Sequence, residues 1–207
     1  AITWANGIER FAQRNGQVIC VDPWREYLDL EVNDDLIYTE MEDALAREQI
    51  YPLFQKNIEA SGYNDLITEI RGSSFEILPI LAKDSFDIIF LDGSHDYENV
   101  LHDLQLSESL LRDGGILCGD DLELQSGECA DLEHDGDNPI ADYVVDAKTE
   151  KGFHPGVTRA VGEFIGPVSS WSGFWAMRRA ADGFKPVEID KTKAQIPDHF
   201  IMATDGA

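Results

Sequence analysis

Residues 86–122 put three carboxylates and a histidine at the ends of two predicted strands: Asp92, His95, Asp120 and Asp121. Three carboxylates brought together repel one another and raise one another's pKa unless a cation lies among them. An oxygen-only set favours magnesium, manganese or calcium over zinc. With a histidine three positions after the first carboxylate, the group reads as a metal-centred catalytic site. The ordinary alternative is that each aspartate only closes a turn or caps a helix, the commonest work of Asp after a strand.

The elements that must position these residues decide between the two readings. Asp87–Leu91 contains an unbroken apolar run, which suits a strand covered on both faces of a parallel sheet and puts Asp92 at its carboxyl end. From Tyr97 to Arg112 the apolar residues Val100, Leu101, Leu104, Leu110 and Leu111 recur at helical spacing, with Gly114–Gly115 as a stop. Ile116–Cys118 is then a second buried strand, and Gly119 leads to Asp120 and Asp121. Strand, crossover helix and strand form a right-handed parallel unit, so both carboxyl ends share one edge of the sheet. If the two strands are neighbours, about 4.8 Å apart, their carboxylates converge. Open α/β sheets bind ligands beyond that edge.

The chain of 207 residues is 43% apolar and 10% aromatic, enough for a substantial core. No run of about 18 apolar residues offers a membrane span. A net charge of −24 argues against binding nucleic acid or anionic lipid, both of which require basic patches. Most of that charge reads as solvated surface. Cys20, Cys118 and Cys129 are odd in number and lack metal spacing, so a reducing, cytoplasmic setting is the expectation.

The blocks LDGSHDY (Leu91–Tyr97), LLRDGGILCGDDL (Leu110–Leu122) and HPGVTRAVGEFIG (His154–Gly166) together resemble class I S-adenosylmethionine-dependent O-methyltransferases. They are most similar to the metal-dependent small-molecule group of macrolide-sugar and cephamycin-pathway enzymes, and more distantly to catechol O-methyltransferase. The resemblance implies an α/β, Rossmann-like and mostly parallel sheet, flanked by helices and closed by an antiparallel hairpin. It implies Asp92, Asp120 and Asp121 as ligands of magnesium or another hard divalent cation, and His95 as catalytic base. The acceptor it implies is a hydroxyl of a sugar, glycoside, diol or catechol-like molecule. Asp22 closes a strand at residues 17–21, where a carboxylate in nucleotide-binding α/β folds takes the ribose hydroxyls. For S-adenosylmethionine the resemblance implies contacts from Asp22, its neighbour Trp24, Ser73, Ser74 and Asp92. Family members also carry a first strand and a glycine-rich turn before the first helix. Neither is present here, so an N-terminally incomplete domain lacking a central strand is the expectation.

The remaining chain fits one domain over residues 1–207. Trp4, Ile8, Phe11 and Ala12 predict an amphipathic first helix ending at Gly16. Residues 41–60 read as helical, divided at Pro52, and Asp65–Ile70 as a strand. Gly72 permits close backbone approach, and Ser73 or Ser74 can cap the short helix that follows. Asp131–Asp142 echoes a calcium loop, but Asn138 and Pro139 break the pattern, leaving a solvated loop or substrate lid. His154 opens a turn into a helix over residues 157–165 and reads either as a substrate contact or as a solvated loop residue. Val168–Trp171 and Phe174–Arg178 form a hairpin joined at Ser172–Gly173, which dinucleotide dehydrogenases generally lack. The tail from Lys185 packs on the sheet edge or meets a second subunit, so a homo-oligomer is among the expectations. Two further readings compete: a nicotinamide-dinucleotide oxidoreductase, which Asp22 would suit, and a non-catalytic scaffold whose acidic surface binds calcium or a partner.

Overall fold

The computed structural model describes residues 1–129 and 141–188. The calcium-like stretch up to Ile140 and the tail beyond Glu188 lie outside the described residues. The chain begins with α1 (Ile2–Ala12), which ends before Gly16 because Gln13 and Arg14 already turn left-handed, at φ 52° and 64°. Strand β1 (Val18–Asp22) pairs in parallel with β2 (Ile67–Arg71). Between them lie α2 (Leu36–Ala46), whose Ile37 N–H is capped by the Asp35 carboxylate, and α3 (Ile50–Ser61). The break comes at residues 47–49, where Glu48 is left-handed, and not at Pro52. Proline in a first turn loses no internal hydrogen bond, so it is accommodated inside α3. A one-turn helix, α4 (Ser74–Ile77), follows β2 and runs into a short 3₁₀ turn.

The larger half of the molecule is a five-stranded sheet. β3 (Phe86–Leu91) lies parallel to β4 (Leu111–Leu122), with α5 (Tyr97–Leu110) crossing between them. Helix α5 passes directly into β4, so Gly114 and Gly115 belong to the strand and not to a helix stop. They coincide with a register shift opposite β3, which left-handed Gly114 (φ 78°) accommodates. After the short ribbon of β5 (Val144–Val145) and β6 (Gly152–Phe153) comes α6 (Pro155–Phe164). Strands β7 (Ser169–Trp171), β8 (Gly173–Ala180) and β9 (Gly183–Pro186) complete the sheet in antiparallel fashion, β8 lying next to β4. The hairpin turns at Ser172 and Gly173, both left-handed; β9, at the start of the expected tail, adds a strand that the sequence did not suggest.

Two cores result. Leu104 of α5, Leu111 and Leu117 of β4, Val161 of α6 and Trp175 of β8 form the main one, all at most 1% exposed. Ala5, Ile58, Leu66 and Ile67 form a smaller core under β1 and β2. Among the described residues β1 pairs only with β2, and β3 only with β4, so the strands do not join into one sheet. Ile88 is consequently 45% exposed and β3 is not covered on both faces. Aromatic contacts such as Trp4 against Phe90 (5.7 Å between ring centroids) tie the halves together instead.

Gly119 is where β4 slips beneath Trp175. A Cβ there would lie 2.7 Å from the Leu91 carbonyl oxygen and 2.7 Å from Trp175 Nε1. Gly119→Ala is therefore expected to lower unfolding stability by about 1–3 kcal/mol, the usual range for overpacking; a urea-denaturation midpoint identical to that of the parent chain would show that the strand can move away.

Candidate active site

Register sets the centre of the site. Leu91 of β3 stands opposite Gly119 of β4, so Asp92 and Asp120, each the next residue, emerge side by side. Asp92, Asp120 and Asp121 line one pocket with His95, Ser94 and Trp175, and among the described residues its lining contains no Lys or Arg. Burial, and then the charges of Asp121 and Asp120, push the Asp92 carboxyl above its ordinary value. Asp120 and Asp121 do not follow β4 but lie within it, where its register against β8 shifts between Gly119 and Leu122. Left-handed Asp121 (φ 63°) turns its carboxylate away from Asp120, whose Oδ1 accepts from the Asp121 N–H at 3.1 Å.

Asp121 turns instead toward two imidazoles. His95 Nε2 is 3.1 Å from Asp121 Oδ2, and its Nδ1 is 3.0 and 3.1 Å from the two oxygens of Asp142. Burial alone would lower the His95 pKa, but hydrogen bonds to Asp121 and Asp142 outweigh it and raise the value to about 10. Asp142 also accepts from the Tyr38 hydroxyl at 2.6 Å, and its backbone N–H donates to Asn33 Oδ1 at 2.8 Å. The second imidazole, His154, has Nδ1 3.2 Å from Glu123 Oε1 and 3.7 Å from Asp121 Oδ1. The two rings stand 4.3 Å apart with a 58° tilt. His154 is held close because Gly156 lets the first turn of α6 approach the His95 loop: a Cβ at Gly156 would lie 2.1 Å from the His95 carbonyl oxygen.

Two sets of ligand atoms lie within 4.8 Å of one another among the described residues: His95, Asp142 and His154, and Asp121, Glu123 and His154. The structure thus brings Asp92, Asp120 and Asp121 to one pocket, while its tightest clusters of donor atoms recruit Asp142, Glu123 and His154. Sequence reasoning missed Asp142 except as the last position of a calcium-like loop. Glu123 and Tyr38 carried no motif. The alternative of a solvated His154 is excluded by its side chain, only 10% exposed.

The cofactor candidates are spread more widely. Asp22 closes β1, accepting from the Trp24 N–H at 2.5 Å, with its carboxyl pushed up by burial. Trp24 is 5% exposed and packs on Tyr51 and Phe54, at 4.7 and 4.9 Å, which makes its ring part of the core. Ser73 opens α4 and its hydroxyl donates to Glu76 at 2.9 Å, while Ser74 is the first residue of that helix. Tyr27 donates its backbone N–H to the Glu42 carboxylate at 3.2 Å. Burial, reinforced by the charges of Asp142, Glu42, Asp22 and Asp121, pushes its hydroxyl up to about 12.

Comparison with known proteins adds a family. A family model described as a methyltransferase domain matches residues 1–122. Catechol O-methyltransferase of Mycobacterium tuberculosis is 28% identical over 120 residues, which cover 57% of this chain and 50% of that protein. The Bos taurus catechol O-methyltransferase is 36% identical over 74 residues, 33% of this chain and 26% of that one. The chain thus spans half or less of the length of these relatives. Among solved structures, a TDP-rhamnose 3′-O-methyltransferase of calicheamicin biosynthesis gives a TM-score of 0.46 at 15% identity, covering 86% of this chain and 65% of that one. An O-methyltransferase family protein from Burkholderia thailandensis gives 0.44 at 10% identity, with coverages of 86% and 55%. Such distant likenesses fix neither substrate nor mechanism. The family match extends over more than half of the 207 residues and takes in β1 to β4 with Asp92, Asp120 and Asp121, so the chain belongs to the methyltransferase domain family.

Proposed function

We propose that this chain, as one domain, transfers the methyl group of S-adenosylmethionine to a hydroxyl of a small molecule and depends on a hard divalent cation such as magnesium. The observation that carries the reading is the pocket that Asp92, Asp120 and Asp121 line together, with no Lys or Arg among its described lining residues. Burial first, and then the charges of Asp121 and Asp120, push the Asp92 carboxyl up, a cost that a cation would relieve, and the oxygen-only donor set fits an ion of that class. When bound, such an ion would lower the pKa of a coordinated substrate hydroxyl. The relatives named as catechol O-methyltransferases support an acceptor with neighbouring hydroxyls, a diol, sugar or catechol.

The chain's own residues supply the rest. Asp22, the last residue of β1, would accept from the cofactor ribose, a reading its strand-end position supports, with Ser73 and Ser74 following the end of β2. His95 is the base. Its Nδ1 stays on Asp142, which fixes the ring plane and stabilises the cation formed on proton uptake, as in other carboxylate–imidazole pairs. Its Nε2 faces Asp121 at 3.1 Å, and with the pKa raised to about 10 the ring carries a proton on both nitrogens near neutral pH. It must therefore first give up the Nε2 proton before it can take one from substrate, which makes turnover rise with pH toward 10. Methyl transfer then needs only an oxygen nucleophile held in line, about 3 Å from the methyl carbon.

His95→Ala is expected to keep cofactor binding by calorimetry while turnover falls by about 10²–10⁴-fold, the usual worth of a positioned base; undiminished turnover would remove His95 from the mechanism. Asp120→Ala should abolish stimulation by magnesium, and a parent enzyme fully active in excess chelator would end the cation requirement. In Asp142→Asn the His95 ring loses one of the carboxylates that raise its pKa. Its titration, followed by NMR of the imidazole protons, should move from about 10 toward 6.5. An unmoved midpoint would show that Asp142 does not tune the base. Failure of the intact chain to bind S-adenosylmethionine would favour a scaffold instead.

A further inference from the structure

We propose that His95, Asp142 and His154 form a site for a borderline divalent ion of the zinc, cobalt or nickel kind, separate from the oxygen-only group at Asp92. The inference stands on geometry alone and does not require methyl transfer. Asp142 oxygens lie 3.0 and 3.1 Å from His95 Nδ1, and 3.7 Å from His154 Nε2. Metal bonds of about 2.0–2.2 Å at tetrahedral angles place ligand atoms roughly 3.4 Å apart, in the middle of these separations. The side chains of His95, Asp142 and His154 are 17%, 5% and 10% exposed.

The surrounding contacts point the same way. A metal-bound imidazole characteristically donates its other N–H to a carboxylate, which fixes the tautomer and raises ligand basicity. Each ring has such a carboxylate: Asp121 Oδ2 at 3.1 Å from His95 Nε2, and Glu123 Oε1 at 3.2 Å from His154 Nδ1. The Tyr38 hydroxyl, donating to Asp142 at 2.6 Å, orients the third ligand. The competing set of Asp121, Glu123 and His154 would consume both orienting carboxylates and leave Asp142, the least exposed of the three carboxylates, outside the coordination. Three protein ligands leave positions open to water or another small ligand, and imidazole donors select against magnesium and calcium. If His95 is the base proposed above, an ion on Nδ1 leaves Nε2 as a donor to Asp121 and the ring cannot take a proton. On that reading zinc-class ions inhibit methyl transfer.

The full chain is titrated with Co²⁺ alone, following visible d–d absorption. Saturable, intense absorption of a low-coordinate nitrogen-ligated site is expected, reversed by Zn²⁺. His154→Ala and Asp142→Asn should weaken Co²⁺ affinity at least as much as Glu123→Gln, which removes only an orienting group and should cost about 10–100-fold. Asp92→Asn should leave it unchanged. Absorption that stays at the weak level of the aqueous ion overturns the site, as does loss of binding in Asp92→Asn with retention in His154→Ala. Circular dichroism checks each fold, and Glu123→Gln, at a partly exposed residue, decides if the buried variants unfold. S-adenosylmethionine binding to the same variants reports separately on the methyltransferase reading.

Discussion

Parallel pairing of β3 with β4 sets Leu91 beside Gly119, and the next residue of each strand is an aspartate. Hydrogen bonding of the ladder thereby forces a like-charge contact that neither side chain would seek alone. The rest of the site accommodates that contact. Asp121 adopts a left-handed backbone and swings its charge onto His95, and no Lys or Arg among the described residues lines the pocket to neutralise Asp92 and Asp120. Backbone geometry of this kind in a non-glycine residue is costly and is retained where surroundings over-determine it. Here those surroundings are the imidazoles and the bulge between β4 and β8.

Much of the fold was legible in the sequence because strand and helix periods are local properties. The first helix, the strands before Asp22 and Asp92, α5 and the final hairpin all follow from apolar spacing and turn residues. The misplacements share a cause. Gly114–Gly115 looks like a helix stop, yet it is a bulge because β4 needs extra residues to realign with β3, a demand visible only once the strands pair. Pro52 looks like a break but sits in a first turn, where its missing N–H costs nothing. The exposure of Ile88 depends on what lies at the strand's other edge, which no apolar run can encode.

The site divides along the same line. Asp92, His95, Asp120 and Asp121 belong to two compact motifs, so type and spacing revealed them. Asp142, Glu123 and Tyr38 stand in unremarkable surroundings and acquire meaning only by proximity to an imidazole. His154 sits in a motif, but its burial comes from Gly156, whose missing side chain lets α6 rest on the His95 carbonyl. The acidic surface is a different matter: its net charge of −24 is spread over the chain, and only a handful of those carboxylates touch the chemistry.

Asp142 reaches His95 across 47 residues, Tyr38 across 104 and Asn33 across 109. Closing such long loops is thermodynamically mild, about 0.6 kcal/mol for each doubling of length. Kinetically it is demanding, because distant contacts give no return until the intervening chain has ordered. The Asp142 contact is therefore expected to form after the more local β3–α5–β4 unit. In a nascent or partly opened chain the strand-end aspartates can already be neighbours while the histidine is still unoriented. Asp142 thus ties three distant stretches of the chain, at Asn33, Tyr38 and His95, to a single residue.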